Sequence, residues 1–137
     1  MNRTPRAIVD RARSLLGAPF RPQGRDPLIG LDCVGVVLWS FAIPAERVRR
    51  DYRIRGAHGP EIEASLSAWF RRTRPDEVRA ADVMLFAVST EQKHLAVNCG
   101  NSFVHADASL RRVVETPMPG RWPLMATFRS RRFAQPD

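Results

Sequence analysis

Cysteine is scarce in this chain: Cys33 and Cys99 are the only two among 137 residues. Two are too few for a disulfide framework, so each is read singly, as a core thiol, a reactive thiol or half of one bridge. No C-x-x-C or H-E-x-x-H spacing occurs, which speaks against a zinc site, and no glycine-rich phosphate loop is present. No apolar run approaches 18 residues, so no transmembrane helix is expected. The start, Met1-Asn2-Arg3-Thr4-Pro5-Arg6, runs into Asp10, Arg11 and Arg13 without an apolar core. No secretory signal is therefore expected; the chain reads as made in the cytoplasm, with something else needed to carry it outside. Lysine is nearly absent too: Lys93 is the single lysine among 22 cations, and 14 acids leave a net charge of +8.

What is present fits an ordinary folded domain. Apolar residues make up 44% and charged residues 26%, and the length suits one domain over residues 1–137 that needs no metal or bridge to hold its core. The arginine excess suits an anionic partner, nucleic acid or a cell-wall polymer, and equally an arginine-rich composition without function. The arginines are spread over several segments, and no reading helix or aromatic stacking platform accompanies them, so nucleic acid is the weakest reading.

Thr4-Pro5 reads as a cap and first position of a helix over 5–16, with Ile8, Ala12, Leu15 and Leu16 at helical spacing and Gly17 as its stop. Residues 17–31 hold three glycines and three prolines and read as a structured loop. Asp32 caps a second, strongly apolar helix carrying Val36, Val37, Leu38 and Phe41, which Pro44 stops. Residues 45–59 read as an irregular connection. Pro60 opens a third helix with Ile62, Leu66, Trp69 and Phe70 on one face. Five strands follow, at 83–88, 94–99, 102–106, 112–115 and 124–128, and the tail from 129 to 137 reads as frayed. Helices first and strands second predict an α+β fold, helices packed on a five- to six-stranded antiparallel sheet.

Two stretches carry chemistry. In Asp32-Cys33-Val34-Gly35 the cysteine sits in the first turn of a helix, where the positive end of the helix lowers a thiol pKa and a free N–H can hold an oxyanion. Gly35 leaves room beside the sulfur for a substrate backbone. The bland alternative is a small buried residue at a helix start. Of the histidines, His58 reads as a surface residue or cap. His94 and His105 flank Gly100-Asn101, which suits a two-residue type II′ turn. Paired positions then sum to 201: His105 faces Ala96, one diagonal step from His94, and both imidazoles share a face. A three-residue loop would reverse that parity. In the same register Asp107 faces His94 and rivals His105 as its orienter, while Cys99 falls on the opposite face as a core thiol. A nucleophile, a base and an orienter are thus available, against the plainer reading of two structural histidines.

These residues resemble the NlpC/p60 family of papain-like cysteine peptidases, and more closely its short members associated with phage tails. The resemblance runs through LLGAPFRPQGRDPLIGLDCVGVV (15–37), DVMLF (82–86), HLAVNCGNSFVHADA (94–108) and VVETP (113–117). It implies a papain-like fold and hydrolysis of peptidoglycan stem peptides, typically between D-glutamate and diaminopimelate, with Cys33 as nucleophile, His94 as base and His105 as third polar residue. No metal or organic cofactor is implied. An acidic stem would favour arginines near the groove, Arg21 and Arg25, beside Phe20 and Gly35 on the substrate side. Phe20 stands where the family often has tyrosine, Val34 where it often has serine, and Ala81 where glycine usually precedes the strand aspartate. The same resemblance leaves room for an assembly component of a phage tail or particle, or an acyltransferase.

Overall fold

The structure is a computed structural model that describes residues 4–47, 59–90 and 92–132. Helix α1, Pro5–Arg13, starts where Thr4 accepts a hydrogen bond from the Ala7 N–H at 3.2 Å, and it buries Ile8, Val9 and Ala12. It is shorter than predicted. Leu15 and Leu16 donate to carbonyls three residues back, so the last turn tightens before Gly17, whose φ of +88° turns the chain.

The stretch read as a loop contains a small antiparallel hairpin, β1 Arg25–Asp26 and β2 Gly30–Leu31. Asp26 Oδ1 accepts from the Leu28 N–H at 2.9 Å and closes its turn. The hairpin then lies so close to helix α2, Cys33–Ser40, that a Cβ on Gly35 would stand 2.3 Å from the Gly24 carbonyl oxygen. Asp32 caps α2 by accepting from the Gly35 N–H at 2.8 Å. Val34, Val36, Val37 and Leu38 are buried, and the helix ends at Phe41, three residues before Pro44.

Ala45–Arg47 forms a 3₁₀ turn, and α3 spans Gly59–Leu66. The predicted third helix stops there. Phe70 instead begins β3, Phe70–Thr73, which pairs antiparallel with the last strand. Spacings of three and four placed Trp69 and Phe70 on the helical face, but Phe70 is held by an edge-to-face contact with Phe41 at 4.9 Å and by pairing with Ser130. Strands β4 Val83–Ala87, β5 Lys93–Asn98, β6 Ser102–Asp107, β7 Arg112–Pro117 and β8 Leu124–Ser130 complete a six-stranded antiparallel sheet in the order β3-β8-β4-β5-β6-β7.

The tail read as frayed from 129 is sheet at its start. Arg129 sends two 2.8 Å hydrogen bonds to the buried Asp82 carboxylate, and Ser130 is buried. One face of the sheet, with Leu85, Leu95, Val97, Val104 and Ala106, packs with Ile8, Ala12, Val36 and Val37 from α1 and α2. The other face carries Met84, Phe86, Ala96 and Phe103, against which Met118, Trp122 and Leu124 pack.

Candidate active site

The β5–β6 hairpin has the predicted register: Val97 pairs with Val104 and Asn98 with Phe103, and Gly100 takes the positive φ of +103° that its turn requires. That register sets His94 and His105 on one face, the face of the smaller core, and their rings meet. His94 Nε2 lies 2.8 Å from His105 Nδ1. The other nitrogen of His105, Nε2, lies 2.8 Å from Thr116 Oγ1 on β7. Trp122 closes over the pair, its ring centroid 5.1 Å from His94 and 5.9 Å from His105, and Arg121 stacks on the indole at 4.6 Å.

Cys33 arrives from the opposite direction, at the N-terminus of α2. The backbone of Leu95 and Val34 lies near enough to its thiol to lower the pKa somewhat, which places the thiol beside the residue that follows His94. Among the described residues no hydrogen bond joins the thiol to either imidazole. Because His94 Nε2 is taken by His105, the nitrogen left for a thiol proton is Nδ1, on the ring edge nearer the backbone of β5.

The electrostatics depart from the sequence expectation. Cys33 was expected to have a lowered pKa at its helix end. Instead loss of solvation and the negative charge of Asp32 push it up to about 12, against smaller lowering from the backbone of Leu95 and Val34 and from Arg25. His94 is pushed down to about 3, first by burial, then by the neighbouring His105, with Asp107 opposing and Arg121 adding to the depression. His105 falls to about 4 for the same leading reason. At neutral pH the resting groups are therefore a neutral thiol and two neutral imidazoles.

Other expected site residues take different places. Arg25 lines a cavity of about 350 Å³ with Gly35, Leu38 and Trp39, whose lining includes neither Cys33 nor the histidines; its guanidinium bonds Asp32 Oδ1 at 3.0 Å and the Gly24 carbonyl at 2.9 Å. Gly35 lines the same cavity, and on its Cβ side the Gly24 carbonyl oxygen stands where a side chain would have to go. Arg21 is exposed, and half-buried Phe20 packs against the main core. Asp107 does not reach His94 by hydrogen bond; its Oδ1 accepts from the Ser109 and Leu110 N–H groups at 2.8 and 3.0 Å and closes the β6–β7 turn. Cys99 packs against the helix-side core as expected, its pKa raised to about 11 by burial and Glu115. His58 lies outside the described residues. Among those described, no group of three histidine, cysteine or acidic side chains is arranged to hold a metal ion.

Sequence reasoning did not find Thr116, Trp122 or Arg121. Thr116 lies one residue beyond the strand expected at 112–115. It reaches His105 because the β6–β7 register pairs Phe103 with Thr116 and His105 with Val114, a register that no sequence-legible two-residue turn announces.

Known structures share this arrangement of chain. NlpC1 of Trichomonas vaginalis matches with a TM-score of 0.66 over 90% of this chain at 14% identity. The peptidoglycan hydrolase RipB of Mycobacterium tuberculosis matches at 0.63 over 96%, with 19% identity. The fold is that of the NlpC/p60 domains. This chain spans 42% of the Trichomonas protein and 65% of RipB. RipD of Mycobacterium tuberculosis, described as a non-catalytic NlpC/p60 domain protein adapted to peptidoglycan binding, matches at 0.61 over 97% of this chain and 100% of its own, at 14% identity. No family model and no curated protein matches the sequence. The NlpC/p60 fold thus occurs in proteins that cut peptidoglycan and in one that binds it without cutting.

Proposed function

We propose that this chain hydrolyses an amide bond of peptidoglycan stem peptides, the D-glutamyl–diaminopimelate bond, through a covalent Cys33 intermediate. The observation that carries the reading is the chain of contacts His94–His105–Thr116, which ends one residue from the backbone that the Cys33 thiol meets. The Cys33 Sγ–H proton passes to His94 Nδ1 as the sulfur attacks the carbonyl carbon. The Cys33 N–H, at an uncapped helix position, holds the resulting oxyanion. His94 returns the proton to the leaving amine nitrogen as the C–N bond breaks. Water, deprotonated by His94, then cleaves the thioester and restores the thiol. Because the resting groups are neutral, proton transfer accompanies attack rather than preceding it.

Arg25 is engaged by Asp32, so a different cation meets the acidic stem in this proposal. Arg121 is exposed, stands on Trp122 beside the imidazoles, and forms no ion pair among the described residues. It is the guanidinium assigned to a stem carboxylate.

Digestion of purified peptidoglycan, followed by mass analysis, tests the reading. The native chain yields fragments split at one stem bond, and Cys33→Ala, folded by circular dichroism, yields none. Equal fragment yields from both would overturn it. The rival reading, a domain that binds peptidoglycan without cutting, draws on the missing thiol–imidazole hydrogen bond. It predicts co-sedimentation with intact sacculi and no fragments from either protein.

A further inference from the structure

Thr116 has no part in a cysteine–histidine pair with one orienting group, yet its hydroxyl lies 2.8 Å from His105 Nε2. The contact between the two rings, His94 Nε2 to His105 Nδ1, holds one proton. If that proton belongs to His94, then His94 Nδ1 carries a lone pair, and neutral His105 keeps its own proton on Nε2, where it must find an acceptor. If the proton belongs to His105, then His94 carries its proton on Nδ1 and cannot accept one from a thiol. The two arrangements differ at both ends of the chain of contacts, so the group at one end biases the group at the other.

We propose that Thr116 is a positioning residue: its hydroxyl accepts the His105 Nε2–H and thereby holds both rings in the tautomers that leave His94 Nδ1 free to take a proton. This deepens the proposed hydrolase reading and rests on it for its catalytic consequence, but not for the tautomers. His105 is buried, at 2% exposure, so an Nε2–H without an acceptor would be an orphaned donor. Loss of the hydroxyl therefore favours the opposite arrangement, in which the His105 Nε2 lone pair is left bare and Nδ1–H donates to His94. Other charged groups near the pair are Asp107 and Arg121, which act on the rings through space and make no hydrogen bond to them. Thr116 Oγ1 is the one side-chain partner of His105 Nε2 among the described residues.

The variants are Thr116→Val, close to threonine in shape, and Thr116→Ser, which restores the hydroxyl. Imidazole ¹⁵N shifts at pH 7 read the tautomers directly, whether or not the protein cleaves anything. The native protein and Thr116→Ser should both place the His94 proton on Nε2, and Thr116→Val should move it to Nδ1. On stem peptide, kcat of Thr116→Val should fall between about tenfold and hundredfold with KM within about twofold, and serine should restore it. Native tautomers retained in a folded Thr116→Val overturn the proposal. So does an equal loss of kcat in the serine and valine variants. If the shifts move as expected while the native protein cuts no peptide, the tautomer proposal stands and the hydrolase reading falls.

Discussion

Asp32 shows how one residue is given competing duties. Its carboxylate caps α2 through the Gly35 N–H, neutralises Arg25, accepts the Gln23 N–H at 3.0 Å, and stands beside the Cys33 thiol, whose pKa it raises. Asp32→Asn keeps an acceptor for the cap but removes the charge. Its Cys33 thiol should ionise at lower pH than the native one, measured as the pH dependence of iodoacetamide alkylation; an unchanged midpoint would contradict the assignment of Asp32 as a cause. The imidazoles give a second residue-scale expectation. With His94 and His105 pushed down to about 3 and about 4, and Cys33 up to about 12, no group of the site titrates near 6.5. Peptidase kcat/KM should stay level from about pH 5 to pH 8 and fall only as His94 takes a proton in stronger acid. A bell centred on a thiolate–imidazolium pair, with an acid limb near 6, would contradict it. Arg121→Ala should raise KM for a carboxylate-bearing stem about three- to tenfold with kcat little changed, and amidating that carboxylate should remove the difference. The direction of the Cys33 shift was not legible in sequence. Helix position is a local property, whereas the desolvation that outweighs it is set by tertiary packing.

Among the elements, the β5–β6 hairpin was the most legible. Gly100-Asn101 leaves two loop residues, two loop residues fix parity, and parity puts His94 against His105. The β1–β2 hairpin was hidden by the same glycines and prolines that make it possible. Its fit against α2 depends on missing side chains: a Cβ on Gly24 would stand 2.1 Å from the Gly30 carbonyl oxygen, and one on Gly35 2.3 Å from that of Gly24. Gly35→Ala should therefore cost about 2 kcal/mol or more by urea unfolding, since backbone on both sides must shift. It should also reduce cleavage by displacing the start of α2. A variant as stable as the native chain would show that the hairpin yields freely. Strand β3 was misread because Leu66, Trp69 and Phe70 satisfy a helical spacing; what decides the matter is β8, more than fifty residues away, offering an edge to pair with.

At the scale of the whole molecule, the sheet divides two cores, and the proposed chemistry draws on groups from both sides of it. Cys33 packs against the helix-side core, and the histidines share the sheet face of the smaller one, where burial pushes their pKa values down. That arrangement couples stability to pH. In the unfolded chain both histidines regain ordinary values near 6.5, while in the fold they stay neutral down to about 3 and about 4. Between those limits the unfolded state binds more protons, so stability falls as pH drops, by up to about 1.4 kcal/mol per pH unit for each histidine. Urea midpoints should decline from pH 6.5 to pH 4, and a His94→Gln, His105→Gln variant should show a shallower decline. Equal slopes would contradict the buried neutral pair. The fold class, the sheet and the two histidines could be read from alternation and turn chemistry. The Asp82–Arg129 pair, the Trp122 cover and the Thr116 contact could not, because each joins residues brought together only by strand order.

The most direct measurement is intact-protein mass spectrometry of the chain quenched in acid during turnover of a stem peptide. The account predicts a transient acyl adduct that maps to the peptide containing Cys33 and disappears in His94→Ala. Product released with no adduct at Cys33, or undiminished release by Cys33→Ala, would contradict it.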